Sequence, residues 1–185
     1  MEENQGSPKE NPQQPRATAW MAAGAVGVVV VVLLAHALLT RPSAPPQVGS
    51  QVPDFQLTTL DNSPARLSDL RGQVVVINFF ASWCAPCREE ASDLEQTWRE
   101  YDDQGVQFLG IAYKDAKSKA QAFLDEFDVT YPSVVEPGNR TAHAYGVTGV
   151  PETFIVDQEG LLAHHFLGPI DQAQLSDELD RLLGP

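Results

Sequence analysis

The chain has 185 residues, 43% hydrophobic and 8% aromatic, with a formal net charge of −13 at pH 7. That length allows one ordinary domain plus appendages, and the apolar share suits a globular core rather than a disordered chain. The acidic balance argues against nucleic acid or an anionic membrane surface as a partner, since both select basic patches.

Residues 1–18 are polar and carry Pro8, Pro12 and Pro15. They have too little apolar surface to offset the entropy of ordering, and the segment reads as a disordered cytoplasmic tail. Residues 19–39 are apolar except for His36. At about 1.5 Å of rise per residue a helix of that length spans roughly the 30 Å hydrocarbon core, so a transmembrane anchor is expected here. Ala35-His36-Ala37 has the small-x-small form of a signal cleavage site, but the acidic tail and the length of the apolar run favour retention. Lys9 and Arg16 before the span and Arg41 after it give little charge asymmetry. The cysteine pair further on places the following domain outside the cytoplasm, where disulfides persist. Residues 40–53 include Pro42, Pro45, Pro46 and Pro53 and read as a stiff, extended spacer. A single domain is expected over 48–185.

Within that domain, Phe55-Gln56-Leu57-Thr58 and Ala65-Arg66-Leu67 flank a turn at Asp61-Asn62 and predict a small hairpin. Residues 74–80 form an unbroken apolar run apart from Asn78, as in a strand buried on both faces. Leu94, Trp98 and Tyr101 recur at helical spacing and predict a helix over 85–101. A second buried strand is expected over 106–113. An amphipathic helix over 116–127 then has Ala120, Phe123, Leu124 and Phe127 inward. Residues 153–156 and 161–166 predict a hairpin around Asp157-Gln158-Glu159-Gly160, with the glycine at a left-handed turn position. Leu175, Leu179 and Leu182 mark a closing helix. Alternating strands and helices followed by hairpin and helix imply an α/β sandwich with right-handed parallel crossovers.

Both cysteines of the chain stand in Trp83-Cys84-Ala85-Pro86-Cys87, where the first long strand runs into a helix. Two thiols one helical turn apart can close a disulfide and reopen it. Cys84 lies ahead of the first turn, where unpaired N–H groups and the helix dipole favour the thiolate. It is therefore the expected nucleophile, with Cys87 resolving the mixed disulfide. Pro86 needs no N–H partner at an early helical position, and Trp83 is expected to shield the sulfurs and offer a flat contact surface. Two plainer readings compete. Half a zinc site would need about four ligands, and no second C-x-x-C is present. A static disulfide closing so short a loop would constrain the unfolded chain little. His143, His164 and His165 are candidate metal ligands, but His164 and His165 are adjacent on a strand and point to opposite faces, so no metal site is expected.

Residues 79–87, Phe-Phe-Ala-Ser-Trp-Cys-Ala-Pro-Cys, followed by Gly149-Val150-Pro151-Glu152-Thr153-Phe154, resemble the thioredoxin superfamily. With Pro53-Asp54-Phe55, Leu67-Ser68-Asp69-Leu70-Arg71-Gly72 and Tyr113-Lys114-Asp115, the chain resembles the membrane-anchored group of CcmG/DsbE, ResA and TlpA, CcmG/DsbE most of all. The resemblance covers about 48–168. It implies a thioredoxin-like fold, a central mixed sheet flanked by helices with an N-terminal β-hairpin extension. It implies that Pro151 is cis beside the dithiol and that Val150 offers its backbone to an extended substrate. The implied substrate is the disulfide of the C-x-x-C-H haem-attachment site of apocytochrome c. No cofactor is required, and electrons would come from a membrane dithiol donor of the CcdA/DsbD kind.

Asn78 stands where thioredoxins carry a buried aspartate for proton transfer, and an amide cannot exchange a proton near neutral pH. The task passes to Glu90, one helical turn beyond Cys87, with Glu152 as a second candidate and Glu89 expected to face solvent. Three other functions compete with a reductase: a general disulfide oxidant or isomerase, a non-catalytic apocytochrome-binding module, and a copper-delivery module. A peroxidase reading fails, since Ile77 stands where related peroxidases carry a proline.

Overall fold

The computed structural model describes residues 31–33 and 45–184. The chain divides into two units, Met1–Pro42 and Ser43–Pro185. In the first, residues 31–33 are helical; the expected tail 1–18, and the expected anchor 19–39 apart from those three residues, lie outside the described residues. Among the described residues no helix is long and apolar enough to cross a membrane.

The second unit is built on a five-stranded sheet. Its strands are β3 (Val74–Phe80), β4 (Val106–Ala112), β5 (Ser133–Val135), β6 (Glu152–Val156) and β7 (Leu162–Leu167), in the spatial order β5-β4-β3-β6-β7. β3, β4 and β5 run parallel, whereas β6 and β7 are antiparallel to their neighbours, so the sheet is mixed. A separate antiparallel pair, β1 (Gln56–Thr58) and β2 (Pro64–Arg66), forms the expected hairpin, and Leu67–Leu70 continues it as a 3-10 turn. Four helices follow in chain order: α1 (Ala85–Tyr101), α2 (Lys117–Glu126), α3 (Arg140–Tyr145) and α4 (Gln172–Leu183).

β3 is the middle strand, and all seven of its residues are buried. That is why it reads as an apolar run instead of an alternation. The pleat nevertheless sorts its side chains. Val75, Ile77 and Phe79 enter a core with Leu57, Tyr145 and Phe154, while Val74 and Val76 meet Leu94, Leu175 and Leu179 of α1 and α4. Phe80 joins a third cluster with Ala91, Phe123 and the two cysteines. Asn78 shares the α1 side with Val76 and Phe80, and this one alternation aims a polar side chain at the interior, where it meets Glu90 of α1.

The predicted strands and helices lie within a residue or two of the observed ones. α4 begins at a capping box, in which Asp171 accepts from the Gln174 N–H and Gln174 bonds back to the Asp171 N–H. Gly160 closes the β6–β7 turn with φ of 79°, donating to the Asp157 carbonyl.

Three elements depart from expectation. β5 is three residues long, bounded by Pro132 and by Glu136-Pro137, too short to show a period. α3 has six residues; it starts after Asn139 at φ 51° and stops at Gly146 at φ 73°, and its buried Tyr145 ties it to the sheet. The end of the expected spacer is paired with the domain: Gly49 donates to the Leu162 carbonyl, Leu162 to Ser50, and Val52 to Gly160. The cause is the open edge of β7, whose backbone groups need partners, and the apolar Val52, which is buried there.

Gly110 of β4 lies opposite Ser133 of β5. A Cβ there would stand 2.6 Å from Ser133 Oγ and 3.2 Å from the rings of Phe80 and Tyr131. Gly110→Ala should therefore cost about 1–3 kcal/mol through overpacking. The denaturant midpoint at an unchanged m-value reads this loss.

Candidate functional site

β3 ends at Phe80, and the chain turns sharply into α1. The turn is clasped from the side by the loop after β4. Asp115 Oδ2 accepts from the Ser82 N–H at 2.6 Å, and the Lys114 carbonyl accepts from Trp83 Nε1 at 3.4 Å. Tyr113 donates its N–H to the Phe80 carbonyl at 2.7 Å, and Asn139 Oδ1 in turn accepts from the Lys114 N–H at 2.8 Å. Lys114 sits at φ 47°, a conformation this clasp maintains. The turn is thus set from outside its own sequence.

Cys84 is the N-cap of α1, and Pro86 lies in the first turn. Cys84 and Cys87 are joined in a disulfide with Cα atoms 5.3 Å apart. The Cys87 N–H donates to Cys84 Sγ at 3.1 Å. Cys84 is 4% exposed and Cys87 only 1%. The outer sulfur is therefore the one next to the helix N-terminus, where positive partial charge stabilises a thiolate once the bond is reduced. Trp83, next to Cys84 in the chain, is 60% exposed.

The Val150–Pro151 peptide is cis. Val150 packs against the cluster holding both cysteines, and its carbonyl oxygen lies 3.4 Å from Cys84 Sγ. Two segments far apart in the chain thereby form one site. Glu152, at the start of β6, is buried and accepts from the N–H groups of Thr148 at 3.0 Å and Gly149 at 3.2 Å. His165 Nε2 is 2.9 Å from its other oxygen. All of these partners belong to the loop and the next strand, so Glu152 supports the loop carrying Val150.

Glu90, one turn beyond Cys87 on α1, is 2% exposed. Asn78 Nδ2 donates to its Oε1 at 2.8 Å and the Ile170 N–H to its Oε2 at 3.0 Å, while Asn78 also donates to Thr153 Oγ1 at 3.0 Å. Burial pushes the Glu90 carboxyl up to about 7, against the lowering effect of those two donors. A carboxyl in that range changes protonation at neutral pH, one turn along α1 from Cys87. Glu89 faces solvent.

The three histidines among the described residues do not converge on one site. His143 is exposed on α3, His164 faces Glu178 of α4, and His165 faces Glu152 on the other side of the sheet. Among the described residues no cluster of three His, Cys, Asp or Glu side chains is placed to hold a metal. Sequence reasoning gave no structural role to Asp115, Thr153 or His165. Asp115 stood only within the Tyr-Lys-Asp resemblance, and the other two depend on cross-strand register, which no local pattern records.

Residues 48–165 match the AhpC/TSA family. The chain is 37% identical over 141 residues to the thiol:disulfide interchange protein DsbE of Allochromatium vinosum, covering 75% of this chain and 76% of that one. It is 32% identical over 135 residues to the thiol-disulfide oxidoreductase ResA of Geobacillus thermodenitrificans, covering 73% and 78%. Among solved structures it is similar to a thiol:disulfide interchange protein of the thioredoxin family from Chlorobium tepidum. There the TM-score is 0.68 at 27% identity, over 77% of this chain and 99% of that one.

Proposed function

This chain belongs to the AhpC/TSA family in its thioredoxin-like form and is a thiol–disulfide oxidoreductase, and we propose that it acts as a tethered reductase of the apocytochrome c haem-site disulfide. The observation that carries the reductase reading is the seat of the dithiol: Cys84 at a helix N-terminus beside the Val150 carbonyl, with a protonatable Glu90 buried one turn beyond Cys87.

In the reduced protein the Cys84 thiolate attacks one sulfur of the substrate disulfide. A Cys84–substrate bond forms, the substrate bond breaks, and the departing thiolate takes up a proton. Cys87 then loses its proton and attacks Cys84 Sγ. The intramolecular disulfide forms, the mixed disulfide breaks, and the second substrate thiol is released. The substrate gains two electrons and two protons. Glu90 is the proposed acceptor for the Cys87 proton, a task that Asn78 cannot perform because an amide does not ionise near neutral pH. Val150 presents its backbone to the extended substrate, which gives affinity without a strict sequence demand.

The apocytochrome assignment rests on the resemblance to CcmG/DsbE carried by Tyr113-Lys114-Asp115 and by residues 149–154. The apolar run 19–39 would hold the domain on the outer side of a cell membrane, within reach of a membrane dithiol donor of the CcdA/DsbD kind. Expressing the full chain as Cys87→Ala tests this. The variant should stall as a mixed disulfide through Cys84, and mass spectrometry of the adduct should identify polypeptides bearing C-x-x-C-H. Recovery solely of partners without that motif would count against the cytochrome assignment.

A further inference from the structure

Register places Phe154 opposite His165 and makes Glu152 the diagonal neighbour of His165 on the same face of the sheet. The imidazole lies flat on Phe154, with ring centroids 3.9 Å apart and planes 15° apart, and this stacking aims Nε2 at Glu152 Oε2. Glu152 Oε1 holds the Thr148 and Gly149 N–H groups. The next residue is Val150, whose carbonyl touches Cys84 Sγ. A continuous chain of polar contacts therefore runs from a partly exposed histidine, through a buried carboxylate, to the loop beside the nucleophile. His164, adjacent in sequence, faces Glu178 on the opposite side and has no path to the loop.

We propose that His165 is a positioning residue that sets the capture of polypeptide substrates, tightening the 148–150 loop through Glu152 when its ring is protonated. The proposal rests on the reading that the Val150 backbone pairs with substrate. A buried carboxylate needs partners for its charge. Protonating the imidazole turns this hydrogen bond into an ion pair and adds coulombic attraction in a partly buried setting. The better Glu152 is held, the more completely its other oxygen orders Thr148 and Gly149, and the less ordering entropy substrate binding must supply. From α3, Tyr145 packs edge-on against Phe154 at 5.1 Å, with its hydroxyl donating to the Pro53 carbonyl. Among the described residues the ion pair of His165 is with Glu152 alone. The neighbouring pair His164–Glu178 lies on the far face, so its charge does not bear on the loop directly.

The test uses the full chain, pre-reduced, and measures second-order rate constants from about pH 5 to 8, the range in which histidine charge changes. One substrate is a peptide with an intramolecular C-x-x-C disulfide; the other is a small aromatic disulfide with no backbone to pair. Taking the ratio of the two constants removes the ionisation of Cys84, which is common to both. In the wild type the peptide-to-small-disulfide ratio should rise about two- to fivefold as pH falls, the size expected of a partly exposed ion pair. His165→Arg should hold the high ratio throughout, and His165→Gln the low one. If the wild-type pH dependence persists in both variants, the inference is overturned while the reductase reading stands. A protein that reduces the small disulfide but no peptide overturns the reductase reading and this inference together.

Discussion

Replacing Cys84 with serine should reduce exchange to the background rate, whereas Cys87→Ser should still react once and stop. The asymmetry follows from the seat of each sulfur. Cys84 is the N-cap, accepts the Cys87 N–H, and lies against the Val150 carbonyl where an extended substrate would pair. Cys87 lies inside the first turn with 1% of its surface exposed, which suits attack on a neighbouring sulfur and not on an incoming protein. A serine hydroxyl at 84 lacks the nucleophilicity of a thiolate at neutral pH, so the first bond never forms. A serine at 87 leaves that bond intact and removes the resolving step. Quenched reactions followed by intact mass should show no adduct for Cys84→Ser and one equivalent of adduct for Cys87→Ser. Equal adduct formation by both variants would mean that the geometry around the N-cap does not select the nucleophile.

Glu90→Gln should change both the pH profile of exchange and the pH dependence of stability. Burial raises the carboxyl from 4.5 to about 7 in the fold. The folded state therefore binds the proton more tightly than the unfolded chain. Between those values the native state carries more protons, so stability falls as pH rises. The favourable contribution is complete below about 4.5 and gone above about 7. A shift of that size corresponds to about 3 kcal/mol, at 1.36 kcal/mol for each pKa unit. Relative to Glu90→Gln, the wild type should lose about that much stability between pH 4 and pH 8, as read from denaturant unfolding. In exchange kinetics the wild type should show a step near pH 7 that the glutamine variant lacks, since glutamine cannot pass the Cys87 proton on. Superimposable rate profiles would remove Glu90 from the proton path, even if the stability difference appears.

The legible parts of this molecule were those whose cause is local. β3 showed as an apolar run because it is buried on both faces, and α1 showed through Leu94, Trp98 and Tyr101, which sit at its buried or half-buried stripe. The cysteine pair was plain from its spacing and from the strand running into a helix. Glu90 was reachable by one periodic step from Cys87, prompted by the amide at 78. β5 and α3 escaped because three and six residues are too few for a period to emerge, and their boundaries depend on Pro132, Asn139 and Gly146 rather than on an apolar pattern. The cis peptide at Pro151 was implied by resemblance alone, since proline in a strand entry is compatible with either isomer.

By itself the order of residues determined the longer strands and helices and the thiol pair that carries the redox chemistry, because hydrophobic period, capping position and thiol spacing act within one or two helical turns. Only the tertiary structure decided that Val150 meets Cys84, that Asn78 and the Ile170 amide hold Glu90 in the interior, and that His165 rather than His164 reaches Glu152. Those contacts join segments far apart in the chain, including the loops that carry Val150 and Ile170, and they are fixed by register across the sheet and by packing on its two faces. A one-residue slip of a strand would turn Asn78 or His165 to the opposite face while leaving the local pattern of each segment unchanged.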